Sequence, residues 1–359
     1  MLRLKGSHNR LPITILLAGF FVACFGLIAI YDASIIDAYR TFGDKLHYVK
    51  QQSLWIFLGT IIAIITANIP LDFLKKNAHL FYGFTIFLMV IVLIPGIGLK
   101  LLGARRWINV GFTVIQPSEL LKITLVLYLS KWLEVERTLK QFLILLSFNI
   151  LLVMLQPDLG TALITVGVSF MLFYLSGARI KEIVSFSIIL LVAISSLIGL
   201  SPYRMNRVKT FMDPTNDPLG ASYHINQVLY GLGSGGLSGV GLGRSRQKYA
   251  YLPEATTDSI FVIIAEEFGF IGSSILVVAL ISLLLLSLNV ALKVNNKFDK
   301  LLSSSITLLF LIQILVNLSS MVALVPLTGV PLPFISYGGS SLVTNFIALG
   351  LLINISKKV

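Results

Sequence analysis

Charged residues and cysteine are both scarce in this sequence. Only 12% of its 359 residues are charged, whereas 56% are hydrophobic, and the mean hydropathy is +0.90. Soluble domains carry about 25% charged residues, so this composition excludes an ordinary soluble enzyme and predicts a membrane protein. Cys24 is the only cysteine and lies in an apolar run. The sequence therefore excludes an internal disulfide and a cysteine-based metal site.

Histidine and acidic residues are also few. The four histidines are dispersed without metal-ligand spacing, so no zinc site is predicted. Sixteen Asp and Glu residues against 28 Lys and Arg residues give a formal net charge of +12. In a soluble protein this excess would suggest nucleic acid, but here the basic residues are scattered among loops between apolar runs. This pattern is typical of membrane topology and contact with anionic membrane lipids, and we expect no nucleic-acid partner.

Apolar runs of membrane-spanning length are abundant. They lie at about 11–31, 52–69, 78–97, 116–133, 139–156, 158–176, 182–200, 258–290, 302–326 and 338–355. These runs predict an all-α polytopic integral membrane protein with about ten transmembrane helices, forming a single membrane domain over 1–359. The first run is of spanning length and shows no small-residue cleavage pattern, so we interpret it as a retained helix.

Ten spans place both termini on one side of the membrane. The short basic loops on that side favour the cytoplasm. On the predicted outer side, basic residues concentrate in the loops 98–115 and 201–257. This concentration predicts anion binding on the outer face, with attraction to lipid headgroups as the alternative. The loop 201–257, between the seventh and eighth predicted helices, is the one long extracytoplasmic loop.

The candidate catalytic residues concentrate where this loop meets the eighth predicted helix, in the segment YLPEATTDSIFVIIAEEFG, residues 251–269. Asp258 either caps that helix or acts as a general base; the roles are compatible because a helix N-terminus favours an ionised carboxylate. Glu254 either assists Asp258 or is a solvated loop acid. A helix over 258–290 is longer than a hydrocarbon core of about 30 Å requires, which predicts protrusion or a bend near Gly269.

Two pairs of charged residues precede this junction. Glu119 and Lys122 are three apart at the start of the fourth predicted helix. They form a structural ion pair, or Lys122 points toward an anionic ligand or toward Asp258. Arg105 and Arg106 lie in the first basic outer loop, where guanidinium groups suit phosphate oxygens.

Three other features have competing interpretations. The run 231–243 is rich in glycine and contains a GxGxxG match without any surrounding βαβ unit. It predicts either a hinge, which we favour, or a close backbone approach. Asp158 is expected to cap the sixth predicted helix. Glu266 and Glu267 in the eighth helix are functional candidates, or one of them lies at the membrane interface.

Six motifs in order make the chain resemble the SEDS family of peptidoglycan glycosyltransferases, FtsW and RodA, over nearly its whole length. They are GARRWI (103–108), QPSELLK (116–122), QPDLGT (156–161), DPLGASY (217–223), GSGGLSGVGLGRSRQKYAYLPEATTDSIF (233–261) and PLPFISYGGSS (331–341). The GLGRSRQKYAYLPEA block is more similar to FtsW and the VPLTGVPLPFISYGG block to RodA, and the FtsW type is favoured. Thr256 and Ser259 depart from the histidine and the aromatic residue that the family often has there.

The resemblance implies an enzyme of the bacterial cytoplasmic membrane that polymerises lipid II, a disaccharide-pentapeptide on undecaprenyl diphosphate, during division or elongation. It also implies a class B penicillin-binding protein, a transpeptidase, as partner. Asp258 matches the family's essential acid, Lys122 and Glu119 its polar pair, and Arg105 and Arg106 its basic motif. No organic cofactor is implied, and the sequence does not decide whether Mg²⁺ or Mn²⁺ is required.

This chemistry needs a base and cations. Asp258 would accept the proton of the attacking sugar hydroxyl. The cations of Lys122, Arg105 and Arg106, with Arg246 or Lys248, would stabilise the departing diphosphate. We predict inversion without a covalent intermediate, because the single outer carboxylate has no second partner at the spacing of retaining enzymes. The alternatives are a lipid II flippase and a non-catalytic scaffold for a transpeptidase.

Overall fold

Ten long helices make up most of the described chain. The computed structural model describes residues 10–101, 103–111, 113–199, 202–213, 217, 220, 222–249 and 251–359. The elements are α1 Leu11–Phe42, α2 His47–Thr66, α3 Leu71–Ile91, β1 Gly98–Leu101, β2 Ala104–Asn109, β3 Val114–Ile115, α4 Pro117–Trp132, α5 Leu139–Leu155, α6 Leu159–Leu175, α7 Ile180–Gly199, α8 Pro202–Met212, α9 Tyr223–Gly235, α10 Ile260–Lys293, α11 Lys297–Met321 and α12 Gly339–Ser356. Each predicted span overlaps one long helix.

The helices identify a multi-pass membrane protein. By length and composition alone, five helices among the described residues can cross a membrane: α1, α2, α10, α11 and α12. α5 and α6 are shorter apolar helices. The two helices of the long loop, α8 and α9, have only 11 and 13 residues. The helical membrane fold is confirmed, while the count of ten transmembrane helices stays a prediction.

Contacts between the ends of helices and the loops beside them define the two ends of the bundle. At one end, here called the site end, the α5–α6 turn, the strands and the loops leading into α4, α10 and α12 meet. The backbone N–H of Gln116 there donates to the Ser340 hydroxyl (3.1 Å). At the opposite end Lys75 pairs with Glu134 (2.6 Å). The long loop between α7 and α10 thus lies at the site end.

Small residues let the helices pack closely. A Cβ at Gly59 in α2 would lie 2.4 Å from the ring of Phe346, and a Cβ at Gly350 in α12 would lie 2.5 Å from the Ala63 carbonyl. Such contacts bring helix backbones together where lipid supplies no hydrophobic drive for association. A chain of rings, Phe310, Phe334 and Phe346, fills the core between α11 and α12, with centroids 5.5 Å apart at each step.

The first basic outer loop differs from the all-helical prediction. Residues 98–115 contain a three-stranded antiparallel sheet in the order β1-β2-β3. Leu99 pairs with Trp107, and Ile108 pairs with Ile115. Pairing satisfies the backbone groups of this segment locally, which short alternating runs between two membrane helices do not reveal.

α10 bends at Gly269, which is one of the two outcomes that its length predicted. Gly269 has φ 66° and ψ −165°, which are not helical values. This bend interrupts the helical hydrogen bonds of residues 266–271, and the glycine-rich segment replaces them. Four backbone N–H groups donate across this contact: Val240 to Glu266 (3.0 Å), Gly241 to Glu267 (3.1 Å), Phe270 to Gly236 (2.9 Å) and Ile271 to Leu237 (3.1 Å).

The glycines are needed for this contact. A Cβ at Gly239 would lie 2.0 Å from the Glu267 carbonyl oxygen, and a Cβ at Gly235 would lie 2.1 Å from that of Ala265. The favoured hinge interpretation is therefore wrong, and the alternative of close backbone approach is right. Glycine-rich segments serve both purposes, and only the partner backbone distinguishes them.

Candidate functional site

Asp258 lies just outside α10 instead of capping it. The helix begins at Ile260 with Ser259 as the N-cap, which makes no side-chain capping bond. Asp258 is 7% exposed, and the Thr257 hydroxyl donates to its Oδ1 (3.2 Å). The capping prediction is wrong because the turns of residues 251–259 continue two residues further than the helix-starting types Thr256 to Asp258 suggested.

Residues distant in sequence fix the backbone around Asp258. The Asn317 side-chain amide of α11 donates to the carbonyls of both Asp258 and Val330 at 2.8 Å. The Ser336 hydroxyl donates to the Thr257 carbonyl (2.5 Å). A Cβ at Gly329 would lie 3.9 Å from Oδ2 of Asp258. The carboxylate therefore faces the loop between α11 and α12.

Burial controls the charge of Asp258. It raises the pKa of this carboxyl to about 6, and the negative charge of Glu254 acts in the same direction. Hydrogen bonds from the Asp258 backbone and Thr257, together with the positive charge of Arg207, lower the pKa by less. Glu254 itself is exposed and accepts a hydrogen bond from the Thr257 hydroxyl (2.8 Å). A carboxyl with this pKa can both accept and release a proton near neutral pH.

The polar pair of α4 is a buried ion pair. Nζ of Lys122 lies 2.7 Å from Oε2 of Glu119, and both side chains are almost completely buried. Of the two interpretations of Lys122, the ion pair is the one present. Nearby, Asp158 caps α6, as predicted, by accepting from the Thr161 N–H (3.0 Å) and hydroxyl (2.8 Å). The Ser118 hydroxyl of α4 also donates to Asp158 (3.5 Å).

The two arginines of β2 differ in their contacts. Arg106 donates through Nε to the Gln156 carbonyl (2.8 Å) and through Nη2 to the Pro157 carbonyl. These bonds attach the sheet to the turn that holds Asp158. Within the described ranges, the side chain of Arg105 makes no hydrogen bond or ion pair and is partly exposed.

Lys248 is buried in an internal ion cluster. Its Nζ donates to Asp32 of α1 (2.9 Å) and to Glu267 of α10 (3.0 Å). Burial alone would lower the pKa of Lys248, but the hydrogen bonds to Asp32 and Glu267 raise it above its ordinary value. Because its ammonium group is paired with two carboxylates inside the fold, Lys248 is a structural cation here and not the ligand-facing one that we expected.

Glu266 and Glu267 anchor the segment that carries Arg246. Both side chains are buried, and the alternative position of one of them at the membrane interface stays a prediction. The backbone N–H of Arg246 donates to Glu266 (3.0 Å), and those of Gly243 and Ser245 donate to Glu267 (3.1 and 3.0 Å). The Arg246 side chain itself is exposed.

Sequence reasoning missed two residues, His224 and Arg207, that contact the segments around Asp258. Nε2 of His224, in α9, lies 2.9 Å from the Ser259 hydroxyl. Burial lowers the pKa of His224 to about 4, with Arg207 acting in the same direction, so this histidine is neutral at neutral pH. Nη1 of Arg207, in α8, donates to the Leu327 carbonyl (2.9 Å). In the sequence, His224 was only a histidine without metal-ligand spacing, and Arg207 was only part of a basic cluster after Pro202.

In the part of the chain that the structure describes, no group of three His, Cys, Asp or Glu residues is placed to hold a metal ion. The groups at this site are two carboxylates, those of Asp258 and the exposed Glu254, with one neutral imidazole, one guanidinium and hydroxyl groups. These groups suit proton transfer and the binding of an anion.

The fold and this site define a multi-pass membrane protein with a buried carboxylate at one end of its helix bundle. The family model for FtsW, RodA and SpoVE, described as a cell cycle protein, matches residues 12–359. The chain belongs to this family.

Curated relatives match along nearly the whole length. Stage V sporulation protein E of Bacillus subtilis (strain 168) is 38% identical over 340 residues, which cover 92% of this chain and 93% of that protein. A probable peptidoglycan glycosyltransferase FtsW of Geobacter sp. (strain M18) is 36% identical over 356 residues, covering 96% of both.

Solved structures share the fold. One chain from work on the coordination of polymerization and crosslinking by a peptidoglycan synthase complex matches with a TM-score of 0.79 and 27% identity, covering 96% of this chain and 97% of that one. The rod shape determining protein RodA of Thermus thermophilus matches with a TM-score of 0.71 and 27% identity, covering 96% of each chain.

Proposed function

We propose that this protein is a peptidoglycan glycosyltransferase that polymerises lipid II at the outer face of the bacterial cytoplasmic membrane, with both termini in the cytoplasm. Relatives named peptidoglycan glycosyltransferase, matched over 96% of this chain, support the reaction class. The observation that carries the mechanism is Asp258, a buried carboxylate with a pKa of about 6 at the site end of the bundle.

Asp258 acts as the general base in this proposal. The acceptor sugar hydroxyl is a weak nucleophile and needs a positioned group to take its proton as it attacks the anomeric carbon. The backbone bonds from Asn317 and Ser336 hold Asp258 in place. Attack opposite the leaving diphosphate inverts the anomeric centre, and no enzyme-linked sugar forms.

The predicted binding residues take different parts. Arg105, which is partly exposed, and Arg246, which is exposed, supply positive charge for the diphosphate. Arg106 positions the sheet against the α5–α6 turn. Glu119 and Lys122 form a fixed dipole in α4 beside the Asp158 turn. Glu254 holds the Thr257 hydroxyl that contacts Asp258.

The proposal treats 1–359 as one membrane domain, with 201–257 as its extracytoplasmic loop. A class B penicillin-binding protein is the proposed partner, since a glycan polymerase needs a transpeptidase to crosslink its product. One similar solved chain comes from a peptidoglycan synthase complex, which supports an assembly of this kind. Grooves between helices would admit the polyprenyl tails from the bilayer.

The test uses the purified chain, reconstituted with lipid II alone and with its transpeptidase. We expect Asp258→Asn to reduce glycan strand formation by about 100-fold or more, because general-base catalysis typically contributes about 100- to 10,000-fold. This variant should stay folded. The folded-state pKa of Asp258 is above its unfolded value of 3.8. The protonated carboxyl therefore contributes stability that is fully present below pH 3.8 and is lost as the pH rises through about 6. At neutral pH the ionised carboxylate thus opposes folding.

Asp72→Asn is the matched control, because Asp72 is exposed and begins α3 at the opposite end of the bundle. Wild-type glycan yield from well-folded Asp258→Asn protein would contradict the proposal. Lipid II translocation that survives this change would support the flippase instead. A wild-type protein that yields no strands, even with its transpeptidase, would support the scaffold.

A further inference from the structure

The proposed reaction requires a cation close to Asp258. The attacked anomeric carbon is bonded to a diphosphate oxygen, so the hydroxyl that Asp258 deprotonates and the leaving group meet at one atom. Negative charge develops on the diphosphate as that bond breaks, and a fixed cation there lowers the barrier.

Arg207 lies at the right place. It belongs to α8, its side chain is exposed, and its Nη1 donates to the Leu327 carbonyl (2.9 Å). Two residues further along this loop, Gly329 has a left-handed φ of +71° and faces Oδ2 of Asp258, with 3.9 Å from its Cβ position. One short loop segment therefore contacts Arg207 at one end and Asp258 at the other.

The positive charge of Arg207 also affects the pKa values of two groups at the site. It lowers the pKa of Asp258 against the larger opposing effect of burial, and it lowers the pKa of His224. The same positive charge would attract an anion bound between these two groups.

We propose that Arg207 binds the diphosphate of the lipid-linked sugar beside Asp258. This inference rests on the proposed function and assigns a binding residue to it. A guanidinium presents five N–H donors in a planar fork, so one group can hold a backbone carbonyl and phosphate oxygens together. The bond to Leu327 would then fix the fork in the orientation that receives the anion.

The reaction step is balanced without any proton on Arg207 moving. The acceptor oxygen bonds to the anomeric carbon, and its proton passes to Asp258. The bond between that carbon and the diphosphate oxygen breaks, and both electrons leave with the diphosphate. Arg207 stays protonated throughout and stabilises the added negative charge.

Direct binding of the lipid product tests this assignment apart from catalysis. The full-length chain in lipid nanodiscs is titrated with undecaprenyl diphosphate and, separately, with undecaprenyl monophosphate. We expect Arg207→Gln to weaken binding of the diphosphate by about 10- to 100-fold, the usual effect of losing a charged hydrogen bond. The monophosphate should be affected less, because it presents fewer oxygens and less charge. Arg207→Lys keeps the charge without the fork and should give an intermediate loss.

Lys209→Gln is the matched control, since Lys209 is a second exposed cation in the same helix. Diphosphate affinity equal in Arg207→Gln, Lys209→Gln and wild type would overturn the assignment. So would equal losses for the diphosphate and the monophosphate. If Arg207→Gln does not fold, Arg207→Lys tests the assignment instead. Wild-type diphosphate affinity in Arg207→Lys would then overturn it. Polymerisation by Asp258→Asn, in contrast, would overturn the proposed function itself.

Discussion

At the scale of single residues, the environment of Asp258 sets the pH range of the reaction. A base works in its ionised form, and burial raises the pKa of this carboxyl from 3.8 to about 6. We therefore expect kcat/KM to fall about tenfold per pH unit below pH 6, whereas an unperturbed aspartate would remain active to about pH 4. Initial rates of lipid II polymerisation measured from pH 4.5 to 8 check this.

Substitution of Glu254 tests directly whether Asp258 is the group that titrates in this pH profile. Its negative charge raises the pKa of Asp258, so Glu254→Gln should move the acidic limb of the pH profile to lower pH. Glu136→Gln is the control, because Glu136 is an exposed acid in the α4–α5 connection at the opposite end. An unmoved limb, or one displaced to higher pH in the Glu254 variant, would show that Asp258 is not the titrating group.

At the scale of elements, the contact between the glycine-rich segment and the α10 bend holds the long loop against the helix that follows Asp258. Gly239 has φ +79°, and a Cβ there would lie 2.0 Å from the Glu267 carbonyl oxygen. Neither the backbone conformation nor the space tolerates a side chain, so we expect Gly239→Ala to destabilise the protein by about 2–4 kcal/mol. Thermal unfolding in detergent measures the effect.

Gly233 provides the comparison for that substitution. It lies within α9, and a Cβ there would have no neighbour within 4 Å. Gly233→Ala should be neutral or stabilise the fold by about 0.5–1 kcal/mol, since alanine is the better helix former. Equal unfolding temperatures for the two variants would mean that the close contact at α10 contributes little.

The same contact shows why sequence reasoning succeeded for some elements and not for others. The length of the apolar run over 258–290 predicted protrusion or a bend near Gly269, because length is a property of the run itself. The function of the glycines depends on a partner backbone some 30 residues away. The strands of residues 98–115 were missed for a related reason: two to six residues give too little alternation to recognise.

At the scale of the whole molecule, the sequence predicted the helical membrane fold and the family, because apolar runs and ordered motifs are local. Ion-pair partners were not predictable in the same way. Asp32 and Lys248 are 216 residues apart, and no local sequence pattern predicts that this lysine pairs with a carboxylate of α1. His224 and Arg207 were likewise overlooked, since their significance comes only from the loops that the fold places beside them.

The orientation in the membrane decides which compartment the site faces, and it can be measured directly. Cys24 is the only native cysteine, so a Cys24→Ser background accepts single reporter cysteines. Lys209, in α8, lies at the site end, and Lys297, at the start of α11, lies at the opposite end, where its Nζ donates to the Glu134 carbonyl (2.8 Å). In intact cells a membrane-impermeant maleimide should label Lys209→Cys and should label Lys297→Cys only after permeabilisation. The reverse pattern would place Asp258 in the cytoplasm, where a polymerase that builds the wall outside the membrane could not act.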